Sequence, residues 1–186
     1  MASPARRRAT YEDLVAAPAH LVAEIVDGEL VTSPRPATRH ARASSRLGIE
    51  LGGPFDRGTR GPGGWVILDE PELHLHGDVL VPDLAGWRRE RMPELPDGVG
   101  IELPPDWLCE VLSPSTVAHD RGAKLPVYAR EGVRHVWFVD PLARLLEVYR
   151  LESSRYVVVG AFRDASLVRA EPFDAIELEL GALWER

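Results

Sequence analysis

Lys124 is the only lysine among 22 lysine and arginine residues, and it follows the strand-like Glu110-Val111-Leu112 in the chain. So strong an arginine bias points to a drift that replaces lysine wherever the two residues are interchangeable. They are not interchangeable where chemistry needs a compact ammonium on a flexible stem, because guanidinium is a wide, permanently charged fork. The surviving lysine is therefore a candidate for a role that arginine cannot fill, against the plain alternative of a solvated surface residue. Two carboxylates go with it. Asp83 follows Pro82 in the strand-like Val79-Leu-Val-Pro-Asp-Leu-Ala85, and Glu110 interrupts the apolar run Trp107–Leu112. A carboxylate in a central strand is costly to bury unless a cation compensates it. Two of them at the ends of neighbouring strands can hold Mg2+ or Mn2+, hard ions that take oxygen ligands and keep several waters. An ammonium beside them can orient or help deprotonate an attacking water, or offset charge that builds on a phosphate. Those are the requirements of phosphodiester hydrolysis.

Supporting positions surround this set. Glu24 lies between Ala23 and Ile25 in a strand, as a further ligand or as an edge carboxylate. Asp120 precedes Lys124 by one helical turn, so the two share a face, and it either orients the lysine or forms a surface ion pair. His40, on a helix, could contact a phosphate, or it is structural. Arg39, Arg42 and Arg46 stack on one side of that helix and are candidates for nucleic-acid contact. Other groupings carry less. His74 and His76 share a strand face but lack further ligands at zinc spacing, so they read as a polar strand end. Ser113 and Ser115 flank Pro114 without a nucleophile-elbow pattern. The five tryptophans, Trp65, Trp87, Trp107, Trp137 and Trp184, read as core rather than as a base-stacking platform.

The elements that must position these groups follow from the pattern. Thr10 caps a short helix with an acidic first turn that ends at Pro18. Leu21–Val26 and Glu29–Thr32 make a hairpin through Asp27-Gly28. A helix spans Thr38–Leu51, with Ala41, Ser44, Leu47, Ile49 and Leu51 as its apolar face. Gly52–Gly64 is a Gly-rich loop without the Gly-Lys-Ser/Thr ending of a phosphate-cradling loop. Strands are expected at Trp65–Leu68, Glu72–Leu75, Val79–Trp87 and Trp107–Leu112, with a Pro-rich loop over Met92–Pro105. A helix over Asp120–Glu131 must hold Pro126 in its first turns. Val133–Val139, Leu145–Leu151 and Tyr156–Val159 complete the sheet. Helices among strands joined by hairpins and crossovers give an α/β or α+β class with a mixed central sheet and an N-terminal helix and hairpin.

Size and charge set outer bounds. A chain of 186 residues suits one domain, here residues 10–186 behind a flexible arm of residues 1–9. No apolar run approaches the ~20 residues of a membrane span, and the Arg-rich start lacks a signal peptide's apolar stretch. The lone Cys109 in an apolar run suits a reduced cytoplasm. A net charge of −7 argues against a generic polyanion binder, yet is compatible with carboxylates at a metal site and arginines on its approaches.

Pro82-Asp83, then Glu110-Val111-Leu112, then Lys124 resembles the PD-(D/E)xK nuclease superfamily. More narrowly, the chain is similar to the Uma-type restriction endonucleases of bacteria. The similarity runs through Glu24-Ile-Val-Asp-Gly-Glu-Leu30, a helix entered near His40, Val81-Pro-Asp83, Glu110-Val-Leu-Ser-Pro-Ser-Thr116, and Asp120, Lys124 and Tyr128. It ends with Gly132-Val133 and Val136-Trp-Phe-Val-Asp-Pro141, covering about Thr10 to Tyr156. It implies a restriction-endonuclease-like core and metal-dependent cleavage of DNA, with Asp83 and Glu110 as ligands of Mg2+ or Mn2+. By analogy with enzymes that cut two strands, it also implies a homodimer. The superfamily's lysine stands two residues after the acidic residue, where this chain has Leu112, so Lys124 would supply the amine from the next helix. The rival reading is a nuclease fold kept as a nucleic-acid or protein interaction module without turnover; another metal-dependent hydrolase on the same core is a third.

Overall fold

A computed structural model of the chain describes residues 7–185. Helix α1 (Tyr11–Val15) opens with a reciprocal capping box, in which Thr10 Oγ1 accepts from Asp13 N–H and the Asp13 carboxylate accepts from Thr10 N–H. Of the expected N-terminal arm, residues 1–6 lie outside the described part, and Ala9 N–H donates to Gly28 O. Strands β1 (Leu21–Val26) and β2 (Glu29–Pro34) pair antiparallel around Asp27 and Gly28, both at positive φ as a tight hairpin turn requires. Helix α2 (Thr38–Leu51) follows and runs into a π turn at Gly52–Asp56. It buries Ala43, Ser44, Leu47 and Leu51, whereas Ile49, expected on that face, is 62% exposed.

Strands β3 (Trp65–Asp69) and β4 (Glu72–Leu75) fall where expected. The continuous strand expected over Val79–Trp87 is instead two: β5 (Asp78–Leu80) and β6 (Leu84–Arg88), which belong to different sheets. Pro82 has no N–H to give a ladder, and Val81 N–H is taken by the Glu24 side chain, so the chain changes sheets there. Asp83 sits in that break. The Pro-rich loop holds a two-residue strand, β7 (Gly100–Ile101), and leads to β8 (Trp107–Val111), buried along its whole length. The next helix begins earlier than expected and in three pieces: α3 (Val117–His119), a π turn at Asp120–Lys124, and α4 (Leu125–Arg130) with Pro126 in its first turn. Pro126 has no N–H to continue regular helical bonding, which accounts for the wider turn before it. Strands β9 (His135–Asp140), β10 (Leu145–Glu152) and β11 (Arg155–Arg163) make the meander. The tail, unread from the sequence, adds β12 (Leu167–Val168), β13 (Leu178–Glu179) and α5 (Gly181–Trp184).

The strands divide between two mixed sheets, ordered β2-β1-β5-β4-β7 and β11-β10-β9-β8-β6-β3, with β12-β13 as a small third. Strand β8 is central in the larger sheet, parallel to β9 and antiparallel to β6. Its alternation decides the site. Trp107, Cys109 and Val111 join the core under α2, where the Phe173 ring packs 4.6–5.6 Å from Phe55, Trp65, Trp107 and Trp137. Leu108 joins the opposite core with Val127 and Tyr128 of α4, and Glu110 shares its side by the two-residue period of a strand.

Candidate active site

Each carboxylate is positioned by backbone. Asp83, released from the ladder beside Pro82, accepts from Val111 N–H through Oδ2 at 2.7 Å, tying the break to the end of β8. Its Oδ1 lies 3.3 Å from His40 Nε2, which α2 brings over the sheet. Glu24, on β1 between two paired strands, is buried and accepts from Val81 N–H through Oε1 at 2.8 Å. Lys124 closes the set from the far face. Its Nζ lies 2.7 Å from Glu110 Oε1, 2.9 Å from Glu24 Oε1 and 3.8 Å from Asp120 Oδ1, and the residue is only 2% exposed. All six of Glu24, His40, Asp83, Glu110, Asp120 and Lys124 line one cleft of about 320 Å³. The two sheets and the helices on either side of the larger one meet there.

Charge in this cleft is unbalanced. Three buried carboxylates share one ammonium, with Asp83 close by. Burial pushes the Glu110 carboxyl well above the usual carboxylate range; Lys124 opposes this, and Asp120, Asp83 and Glu24 add to it. Asp120 is raised for the same first reason, against Lys124 and a hydrogen bond from Thr116. Burial alone would lower the Lys124 ammonium, but the surrounding carboxylates, Glu110 foremost, outweigh it and hold the proton on nitrogen. His40 behaves likewise: burial opposes its charge, and Asp83 with a backbone contact to Val111 raises it.

Two participants received no role in the site from the sequence. Tyr128, fully buried one turn after Lys124, donates its hydroxyl to Glu110 Oε1 at 2.5 Å. Its four-residue spacing from Lys124 was the available signal. Arg35, which clusters with Arg39, Arg42 and Arg46 along the chain, lines the cleft and donates to Ala19 O at 3.1 Å. The arginines of α2 divide. Arg39 and Arg42 line a separate cleft with Arg144 and Trp184, and Arg46 does not join them. Four tryptophans are core as expected, but Trp184 is only partly buried and stands in that second wall. His74 and His76 part company, His74 on Glu72 at 2.7 Å and His76 on Glu131 at 2.6 Å.

Among the described residues no group of three or more His, Cys, Asp or Glu side chains is arranged to hold a metal ion. What the cleft offers is an open arrangement: Asp83 and Glu110, hard oxygen donors in surplus negative charge. Lys124 and Tyr128 both engage Glu110 Oε1. Magnesium is commonly held by one or two carboxylates with waters completing its shell, so the donor set suits such an ion.

Mixed sheets flanked by helices, with β8 central in the larger one, define the restriction-endonuclease-like fold. Residues 8–181 match the Uma2 family, described as "Putative restriction endonuclease", and the chain belongs to that family. No curated protein matches it. Among solved structures, a "putative nuclease belonging to DUF820" from Anabaena variabilis superposes with a TM-score of 0.74 at 20% identity, over 95% of this chain and 97% of that one. At that identity the likeness speaks for the fold. No helix among the described residues is long and apolar enough to cross a membrane.

Proposed function

We infer that the chain is a divalent-metal-dependent endonuclease that hydrolyses phosphodiester bonds of DNA, with Asp83, Glu110 and Lys124 as its catalytic residues. The observation that carries this is the cleft itself. Residues from β1, α2, the Pro82 break, β8 and the α3–α4 segment converge on one concave site whose carboxylates outnumber its cations. Asp83 and Glu110 would hold Mg2+ or Mn2+. The bound ion would lower the pKa of a water and neutralise phosphate charge.

The chain's own groups have separable tasks. Lys124 is held as an ammonium, so of its two conceivable roles it orients water and offsets charge developing on the phosphate, and it does not accept the proton. Glu24 and Asp120 fix the ammonium by ion pairing, and Tyr128 fixes Glu110. His40 holds Asp83 from the opposite side. A water attacks phosphorus in line and loses its proton to solvent, an O–P bond forms, and the bond to the leaving oxygen breaks as that oxygen takes up a proton from solvent. Arg35 at the lip and Arg39 and Arg42 beyond it would meet flanking phosphates. Two copies would cut two strands, which sedimentation with a duplex would reveal, and a cytoplasmic site of action fits the single buried thiol.

The second reading, an interaction module without turnover, draws support from the complete engagement of Lys124 by carboxylates, which can be structural. Cleavage of supercoiled plasmid and of single-stranded DNA with Mg2+ or Mn2+ separates the two. The nuclease reading expects nicking that is lost in Asp83→Ala and Lys124→Ala. No cleavage by the parent, together with no Mn2+ binding by calorimetry, would favour the module.

A further inference from the structure

We propose that the cleft between the first turns of α2 and the C-terminal helix α5 is a second nucleic-acid subsite, one that takes a phosphate and a stacked base of the strand leaving the active site. It rests on the nuclease reading for the identity of that strand. The cleft encloses about 820 Å³ and is walled by Arg39, Arg42, Arg144 and Trp184, with Asp164 and Glu185 beside them. The three arginines are exposed, and none forms an ion pair among the described residues. Arg42 reaches only the Glu185 carbonyl, at 3.4 Å. Unpaired guanidinium groups drawn from α2 and from the distant β9–β10 turn suit a phosphate, which accepts their planar fork.

Trp184 supplies the other half of the recognition. It is half-buried against the core, lines the cleft, and donates Nε1 to Asp164 O at 2.7 Å, so the ring is held in one orientation at the wall. A fixed aromatic face beside cations is how proteins bind unpaired bases without reading their sequence. Continuity with the active site comes from α2. His40 turns inward to Asp83, while Arg39 and Arg42 turn to the flank, all within a helix end only ~10–12 Å across. Arg35 lines the active-site cleft, so guanidinium groups run from Arg35 past Arg39 and Arg42 to Arg144. The α2 N-cap is Ala37, which has no capping side chain, so its leading amides are open to the same phosphates.

The test is fluorescence anisotropy of a labelled single-stranded oligonucleotide in EDTA, titrated at several salt concentrations. Trp184→Ala is expected to weaken binding by about tenfold, and Trp184→Phe, which keeps an aromatic face, to retain most of it. Arg144→Gln is expected to weaken binding and to flatten the salt dependence by about 0.7, the loss of one single-strand phosphate contact. Arg155→Gln, on the remote β10–β11 hairpin, serves as the control and is expected to bind as the parent does. The subsite is overturned if Trp184→Ala and Arg144→Gln bind like the parent at every salt, if the parent does not bind, or if inorganic phosphate or dAMP competes as well as the oligonucleotide. Plasmid cleavage is scored in parallel. Binding that depends on Trp184 without any cleavage would remove the nuclease reading and keep the subsite; cleavage with Trp184-independent binding would do the reverse.

Discussion

Lys124 Nζ stands 2.7 Å from Glu110 Oε1, although the lysine belongs to the helical segment after β8 rather than to the strand itself. A lysine at the place of Leu112 would extend from the strand end; here a helix on the same face of the sheet returns the ammonium to the acidic residue. The pair is buried on both sides, so removing one partner has a large consequence. Lys124→Met leaves Glu24, Glu110 and Asp120 without their cation and is expected to cost about 3–5 kcal/mol in urea unfolding near neutral pH. Adding Glu110→Gln should recover a substantial part, and a double-mutant cycle measures how much of the loss is that pair. Additive effects would deny the coupling.

Asp83→Asn is expected to lower cleavage by more than about a hundredfold while leaving the fold in place. An amide oxygen can still accept from Val111 N–H, whereas the charge facing His40 and the cleft is gone. Circular dichroism and calorimetric Mn2+ titration read the two halves separately. Cleavage at the parent's rate would remove Asp83 from the mechanism.

Tyr128→Phe tests positioning of Glu110. The hydroxyl meets Glu110 Oε1 at 2.5 Å in a fully buried setting, and its loss leaves that carboxylate oxygen to Lys124 alone. A stability cost of about 1–3 kcal/mol is expected, with a fall in rate of about ten- to a hundredfold. A stability change with no change in rate would make Tyr128 purely structural.

The pH dependence of the metal-free protein follows from direction alone. Glu110 and Asp120 are raised above the ordinary carboxylate values of ~4, chiefly by burial, so the folded chain holds protons that the unfolded chain releases. His40 is raised as well. Each contributes stability that is present below its unfolded value and lost as pH rises through its folded one. The melting temperature in EDTA should therefore fall from about pH 5 toward pH 8, and Glu110→Gln should flatten the trend. A melting temperature that rises over that range would contradict the burial argument.

Much of this was legible along the chain because it is local. The capping box of Thr10 and Asp13, the Asp27-Gly28 hairpin and the bounds of α2 depend on dihedral preference and near-neighbour hydrogen bonds, which sequence carries directly. The cost of burying a carboxylate in an apolar run marked Glu110, and the solitude of Lys124 marked the ammonium. Tertiary structure decided what depends on distance between elements. That the strand expected over Val79–Trp87 breaks at Pro82, placing Asp83 between two sheets, requires Glu24 to take Val81 N–H from another strand. The division of the α2 arginines between faces depends on where the sheet and α5 lie. Trp184 packs against the edge of the core and also lines a cleft, because α5 ends at that cleft's wall. Covalent spacing determines which groups can share a turn or a strand face; which turns and faces meet is determined only when the sheets, held by long-range pairing and a common apolar core, close on one another.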